Sequence, residues 1–361
     1  EDVGTMENLF DFDYFYNGSG VGVADLNNDG LQEIFFTGNQ VPNKLYLNKG
    51  DFVFEDISES AGINLNKQWA NGVTFADVNN DGFLDIYVSQ GGPRQAKDRH
   101  NLLFINQGDL TFKEVAVSYG LADTGISTQS VFFDMDKDGD LDCFVSNENE
   151  FYGLDPMVFY ESMKLSDNLE RSSGHLYENR EGKFVDISKQ AGVMQASFGL
   201  GVTVSDINND GWPDIYVINE YGNGILLLNQ GANKPFQARE LIDRAADFGS
   251  MGLSTGDINN DGQIDIYVAS MYSKAGSRVI GNLRQSAYRD KVMAKLRRMV
   301  AGSQLYRNLG DGKFEPIGKA MDVVDVGWAY GPTLGDLDND GFLDIHAPCG
   351  FISRTRDKPD G

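Results

Sequence analysis

Along this chain the apolar positions come in short, continuous runs bounded by Gly, Asn and Asp, without the i, i+3, i+4 spacing of an amphipathic helix. "EIFFTGN" (33–39), "DIYVSQG" (85–91), "DCFVSNE" (142–148), "DIYVINE" (214–220) and "DIYVASM" (265–271) are rich in β-branched and aromatic residues and read as strands buried on both faces. Each has the same neighbours. A Gly-rich apolar stretch precedes it, as in "GVGVADL" (20–26), "GVTFADV" (72–78), "GVTVSDI" (201–207) and "GLSTGDI" (252–258). A third run follows, such as "KLYLNKG" (44–50), "LLFINQG" (102–108) or "HLYENREG" (175–182), and then a fourth, such as "FVFEDISESAGI" (52–63) or "KFVDISKQAGV" (183–193). The pattern predicts four short strands per repeat, and four strands in about 40–50 residues is the arithmetic of a β-propeller blade. The first strand is small and apolar, as a strand near a crowded axis must be.

Between the first and second strands lies a nine-residue stamp that occurs six times: "DLNNDGLQE" (25–33), "DVNNDGFLD" (77–85), "DMDKDGDLD" (134–142), "DINNDGWPD" (206–214), "DINNDGQID" (257–265) and "DLDNDGFLD" (336–344). Successive copies begin 52, 57, 72, 51 and 79 residues apart, so repeats three and five carry insertions. The spacing suits a hard cation, which takes six to eight oxygens. Position 1 offers Asp25, Asp77, Asp134, Asp206, Asp257 and Asp336. Position 3 offers Asn27, Asn79, Asp136, Asn208, Asn259 and Asp338, and position 5 offers Asp29, Asp81, Asp138, Asp210, Asp261 and Asp340. Position 7 gives a backbone carbonyl at Leu31, Phe83, Asp140, Trp212, Gln263 and Phe342. Position 9 closes the set with Glu33, Asp85, Asp142, Asp214, Asp265 and Asp344. Gly at position 6 permits the positive φ that turns the chain round an ion. An EF-hand needs an acid at position 12 and flanking helices. Position 12 here is Phe36, Val88, Val145, Val217, Val268 or Ala347, in strand-like surroundings. The competing explanation is a set of Asx-turns without metal, which accounts for the Asn-Asp-Gly core but not for the regular acid at position 9.

Composition adjusts this picture in three ways. The net charge of −24 excludes bulk nucleic-acid binding, which needs a basic face; about six bound Ca²⁺ ions would halve it. Two cysteines, Cys143 and Cys349, are too few for a disulfide framework and are read as buried free thiols. No run of apolar residues is long enough to span a membrane.

The six loops, together with "NKLYLNKGDFVFEDISESAGI", "FGLGVTVSDINNDGWPDIYV" and "GWAYGPTLGDLDNDGFLDI", carry a resemblance. The chain resembles the FG-GAP/VCBS repeat family, whose calcium-binding blades also build the integrin α-subunit head. It resembles more closely the bacterial relatives of cartilage acidic protein, which often add an ASPIC/UnbV domain. The match runs over roughly residues 12–350. It implies structural calcium on the loop residues named above. Glu33 departs from the usual Asp at position 9, but a longer carboxylate can still ligate. The expected architecture is an all-β propeller of six or seven blades in a single domain over 1–361. Either residues 1–16 complete the last blade, or the chain is the first part of a longer protein.

The insertions of repeats two, three and five all fall between second and third strands, on the face opposite the loops. Helices are expected in them at about 155–170 and 283–299. "LRQSAYRDKVMAKLRRM" (283–299) has an apolar stripe of Tyr288, Val292, Leu296 and Met299 and a local charge of +5, which suits packing on the acidic blades or an anionic partner. Tyr16, Trp69, Phe198, Trp328 and Tyr330 lie where linkers open on that face, and Arg94, Arg99 and His100 lie in the second insertion. As an exposed rim the aromatics suit a glycan or protein partner, the alternative being that the rings plug the channel; Arg94, Arg99 and His100 suit an anion, the alternative being a solvated loop. "GLSTG" (252–256) matches G-x-S-x-G but heads an inner strand rather than a strand-to-helix elbow, and His100, His175 and His346 make no spaced triad. The expected function is a non-catalytic, calcium-stabilised binding or adhesion module, extracellular, at the cell surface or periplasmic. Two alternatives stay open: a lyase or hydrolase acting on polysaccharide from the insertion face, and a structural subunit of a surface assembly.

Overall fold

The structure is a computed structural model that describes residues 19–63, 69–92, 99–149, 169–170, 172–195, 198–220, 222–241, 249–270, 282, 293, 297 and 300–349. The chain divides into two compact units, Glu1–Ser197 and Phe198–Gly361.

In the first unit each of three repeats folds into a four-stranded antiparallel meander. Repeat one uses Val21–Ala24, Glu33–Phe36, Lys44–Asn48 and Phe54–Asp56. Repeat two uses Ala70–Ala76, Asp85–Gln90, Leu102–Asn106 and Phe112–Glu114. Repeat three uses Ile126–Phe133, Asp142–Glu148, His175–Arg180 and Lys183–Asp186. In the second unit, repeat four is Gly199–Ser205, Asp214–Asn219, Ile225–Leu228 and Gln237–Arg239. Repeat five is Ser250–Gly256, Asp265–Ser270, Gln304–Asn308 and Phe314–Pro316, and repeat six shows two paired strands, Thr333–Gly335 and Asp344–His346. These are the predicted blades of an all-β propeller fold, in the predicted strand order.

In repeats two to five the second strands are buried throughout, and period-two alternation explains why. Ile86 and Val88 point into the cluster shared with Phe35 and Leu45 of repeat one. Tyr87, one position out of phase, joins Cys143, Val145 and Tyr177 of repeat three. Repeat two therefore supplies half of two cores, with about 1.5–3 kcal/mol for each large side chain fully buried. The glycines at the heads of the inner strands have a steric cause. A Cβ on Gly72 would lie 2.5 Å from the Thr128 carbonyl oxygen, and one on Gly252 would lie 1.7 Å from that of Tyr330. Only glycine lets the backbones of neighbouring repeats approach this closely.

Of the expected helices, Leu169 and Glu170 are helical, as are Asn282, Met293 and Arg297; Met293 is buried and Arg297 exposed. The rest of 155–170 and 283–299 lies outside the described residues. Among the described residues no helix is long and apolar enough to cross a membrane. Cys143 is a buried free thiol as expected, but Cys349 is exposed, because it follows the last strand of a two-stranded sheet and has no neighbouring blade described beyond it.

Candidate metal centre

All six loops fold alike, and the cause is local. Position 4 takes the left-handed conformation at Asn28 (φ 59), Asn80 (φ 57), Lys137 (φ 64), Asn209 (φ 56), Asn260 (φ 57) and Asn339 (φ 61), and Gly at position 6 does the same with φ between 83 and 96. Asn visits this region more readily than most residues. The winding turns backbone N–H groups inwards. Asp77 Oδ1 and Oδ2 accept from the N–H groups of Asp81 (3.0 Å) and Gly82 (2.8 Å), and Asp81 Oδ1 accepts from Phe83 (2.9 Å). Loop four repeats this: Asp206 accepts from Asp210 (3.0 Å) and Gly211 (2.8 Å), and Asp210 from Trp212 (2.9 Å). Loops one, five and six repeat it at Asp25 with Asp29, at Asp257 with Asp261, and at Asp336 with Asp340. Positions 1, 3 and 5 thus converge on one spot. In loops three and six one oxygen each from Asp134, Asp136 and Asp138, and from Asp336, Asp338 and Asp340, lie within 4.8 Å of one another. In the other loops Asn27, Asn79, Asn208 and Asn259 stand at position 3, each with its amide on the position 5 carboxylate.

The acid at position 9 has a second task. It sits at the first residue of the second strand, and its two oxygens accept backbone N–H groups from opposite sides. Asp85 takes Val78 of its own loop (3.0 Å) and Asn106 of the third strand (2.8 Å). Asp142 takes Met135 and Asn179, Asp214 takes Ile207 and Asn229, Asp265 takes Ile258 and Asn308, and Glu33 takes Leu26 and, at 3.4 Å, Asn48. Asp344 takes Leu337 (2.9 Å). Burial lifts the Asp85 and Asp214 carboxyls to about 6 and Asp142 to about 7, despite these hydrogen bonds, and the loop aspartates add to the rise. Glu33 and Asp265 are raised by the same causes.

Loop three is the most acidic. Asp140 replaces an uncharged residue at position 7, and burial followed by the neighbouring Asp138 lifts its carboxyl to about 6. Asp136 Oδ1 and Asp140 Oδ1 are buried without a hydrogen-bond partner. Such oxygens are costly unless something positive meets them.

Two sets of residues escaped the sequence reading. The first is the Asn at or beside the end of the third strand in repeats one to five. Asn106 Nδ2 donates to the carbonyls of Leu84 (3.1 Å) and of Leu26 in the preceding repeat (2.8 Å), and Asn308 donates in the same way to Ile264 (3.1 Å) and Ile207 (2.7 Å). Its recurrence in "LYLN", "LFIN", "LYEN", "LLLN" and "LYRN" was the available signal. The second is a buried pair in the first unit. Asp123 accepts from His175 Nδ1 (2.6 Å), the Tyr177 hydroxyl (2.9 Å) and the Gly125 N–H (2.7 Å), while His175 Nε2 meets the Glu170 carbonyl (2.9 Å). Burial opposes charge on both partners, but each ion outweighs it for the other, so Asp123 falls to about 2 and His175 rises to about 9.

The expected partner-binding residues scatter. Trp69 is buried at 3% exposure rather than on an exposed rim, packed where Gly92 leaves room for its ring. Arg99 is also buried, its guanidinium donating to the carbonyls of Gly92, Thr124 and Gly125, so it ties a loop down instead of facing solvent. His100 and Phe198 are half-buried, and Phe198 gives its N–H to Asn219 Oδ1. Trp328 and Tyr330 stack, with centroids 6.5 Å apart and planes at 11°, and Tyr330 is exposed. Arg94 and Tyr16 lie outside the described residues.

Repeated four-stranded blades, each with an acidic nine-residue loop between its inner strands, define the class of protein. The FG-GAP-like repeat profile matches residues 14–88, 168–217, 206–268 and 290–347, and the chain belongs to that family. Mouse cartilage acidic protein 1 is 31% identical over 90% of this chain and 56% of its own length. The frog (Xenopus tropicalis) protein of the same name is 32% identical over 37% of this chain and 20% of its own. Mouse integrin alpha-3 is 37% identical over 22% of this chain and 9% of its own. The chain thus spans at most about half the length of these relatives. Among solved structures, the V. cholerae biofilm matrix protein Bap1 aligns over 82% of this chain and 38% of its own at 14% identity, with a TM-score of 0.42.

Proposed function

We propose that this chain is a calcium-stabilised binding and adhesion module that works outside the cytoplasm and has no catalytic activity of its own. The observation that carries the calcium reading is loop three, where Asp136 Oδ1 and Asp140 Oδ1 are buried without partners beside a converging aspartate trio. The donor set is all oxygen, which fits a hard cation. Positions 1, 3 and 5, the carbonyl at position 7 and the acid at position 9 would hold about six Ca²⁺ ions in all. A carboxylate oxygen that accepts one N–H keeps a second lone pair, so the position 9 acids can brace the strand and face an ion together. Calcium bound in this way is structural: it neutralises the converging carboxylates and holds the loop in its wound form.

Kinship with cartilage acidic protein and an integrin α chain supports a place outside the cell, where calcium is plentiful enough to fill such loops. The partner, a protein or a glycan, is assigned to the face opposite the loops, where the stacked Trp328–Tyr330 pair offers an aromatic platform. The basic 283–299 segment is a second candidate, for an anionic partner. Thermal melting of the full chain tests the calcium reading. A site occupied at about 100 times its Kd adds about 2.7 kcal/mol, so excess chelator should lower Tm markedly; an unchanged Tm would sink it. A glycan and protein binding screen repeated with Tyr330→Ala and Trp328→Ala tests the partner face, and undiminished binding would move the partner elsewhere.

A further inference from the structure

In loops one, four and five the left-handed Asn at position 4 reaches out of its own loop. Asn28 Nδ2 donates to the Gly82 carbonyl of loop two (3.0 Å), Asn209 to the Gly262 carbonyl of loop five (3.3 Å), and Asn260 to the Gly341 carbonyl of loop six (2.9 Å). In each case the accepting peptide is the one whose N–H closes the next loop. The Phe83 N–H binds Asp81 Oδ1 (2.9 Å), the Gln263 N–H binds Asp261 Oδ1 (2.9 Å), and the Phe342 N–H binds Asp340 Oδ1 (2.8 Å). A continuous path therefore runs from the amide of one loop, through one peptide group, to the position 5 carboxylate of its neighbour. We propose that these asparagine rungs couple cation binding between adjacent loops, one with two in the first unit and four with five with six in the second, so that filling one loop tightens its neighbour.

The inference rests on the calcium reading. The amide reaches its neighbour only when its own loop is wound with position 4 left-handed, and a bound cation holds that winding. The rung then fixes the next loop's Gly peptide, whose N–H orients the position 5 carboxylate. Ordering one loop thereby removes part of the ordering cost of the next. Polarisation along the hydrogen-bonded path acts in the same direction. The rungs are exposed, so the coupling belongs at the low end of the usual range, about fivefold in affinity. Coupling of binding free energies is reciprocal, so loop five must tighten loop four as much as the reverse.

Trp212, at position 7 of loop four, makes the test direct, because terbium bound there is sensitised by its indole. Calcium affinity at loop four is read by competition against terbium emission in the full chain. Loop five is disabled by Asp257→Asn, and independently by Asp261→Asn in case the first variant fails to fold. Each change is made with Asn209 intact and with Asn209→Gly, which keeps the left-handed backbone and removes the amide. The expected result is about a fivefold loss at loop four on disabling loop five when Asn209 is present, and no loss when it is Gly. An equal loss in both backgrounds, or none in either, overturns the coupling and leaves the calcium reading standing. Absence of sensitised emission together with absence of calorimetric calcium uptake by the unmodified chain overturns both.

Discussion

The buried pair of Asp123 and His175 gives a prediction that concerns single residues. His175 is raised from 6.5 to about 9 in the folded chain, so its contribution is complete below 6.5 and is lost as pH rises through about 9. Asp123 is depressed from 3.8 to about 2, so its contribution is complete above 3.8 and is lost as pH falls through about 2. The pair therefore stabilises most between about 3.8 and 6.5. Replacing His175 with Gln leaves a buried carboxylate without its counter-ion, at a cost of about 3–5 kcal/mol. Urea unfolding at pH 6 and pH 9.5 checks this: the gap between the unmodified chain and H175Q should shrink at the higher pH, and a constant gap would refute it. The pair was illegible in the sequence because its members stand 52 residues apart in adjoining repeats. The loop residues were legible because each candidate set lies within nine consecutive positions whose spacing alone brings the oxygens together. The surroundings of Trp69 and Arg99 were illegible for a related reason. An aromatic or basic residue next to a loop looks exposed until the ring-sized gap at Gly92, or the carbonyls of Thr124 and Gly125, are seen around it.

Strand pairing holds a blade together, and the shared apolar cores join one blade to the next. Asn106 and Asn308 add a polar lock to that join. Asn106 is 2% exposed, binds carbonyls of its own repeat and of repeat one, and accepts the Gly108 N–H with its Oδ1 (3.0 Å). Asn106→Ala strands these groups in the core, where an unmet polar group costs about 1–3 kcal/mol, so a loss of about 2–4 kcal/mol is expected by calorimetric melting. Asn48, on the first repeat, has its side-chain amide on the Gln32 carbonyl of its own repeat and is partly exposed. Asn48→Ala should therefore cost less than half as much; equal losses would show that the contact between repeats is not what Asn106 supplies. Strand number, strand order and the small inner strand were all legible from period and composition, since each follows from the local run. The asparagine lock was not, because one polar residue at the end of an apolar run reads as the start of a turn.

For the whole molecule, the proposed calcium loops would make stability depend on pH and calcium together. Without a cation, Asp85, Asp142 and Asp214 hold their protons up to about 6–7, against 3.8 when unfolded. Over that interval the folded chain binds more protons than the unfolded one, so its stability falls as pH rises from about 4 to 7. A bound cation reverses the preference, because it needs the carboxylates ionised and competes with the protons. The net charge of −24 acts in the same sense: repulsion within the chelated chain grows as the acids ionise, and six divalent ions would remove about half of it. The Tm of the calcium-loaded chain should therefore exceed that of the chelated chain most at pH 7.5, and the two should converge towards pH 5. Chelated protein alone should melt higher at pH 5 than at pH 7.5. A difference between loaded and chelated chains that is independent of pH would mean that the buried position 9 acids take no part in holding the ion and serve only to brace strand to loop.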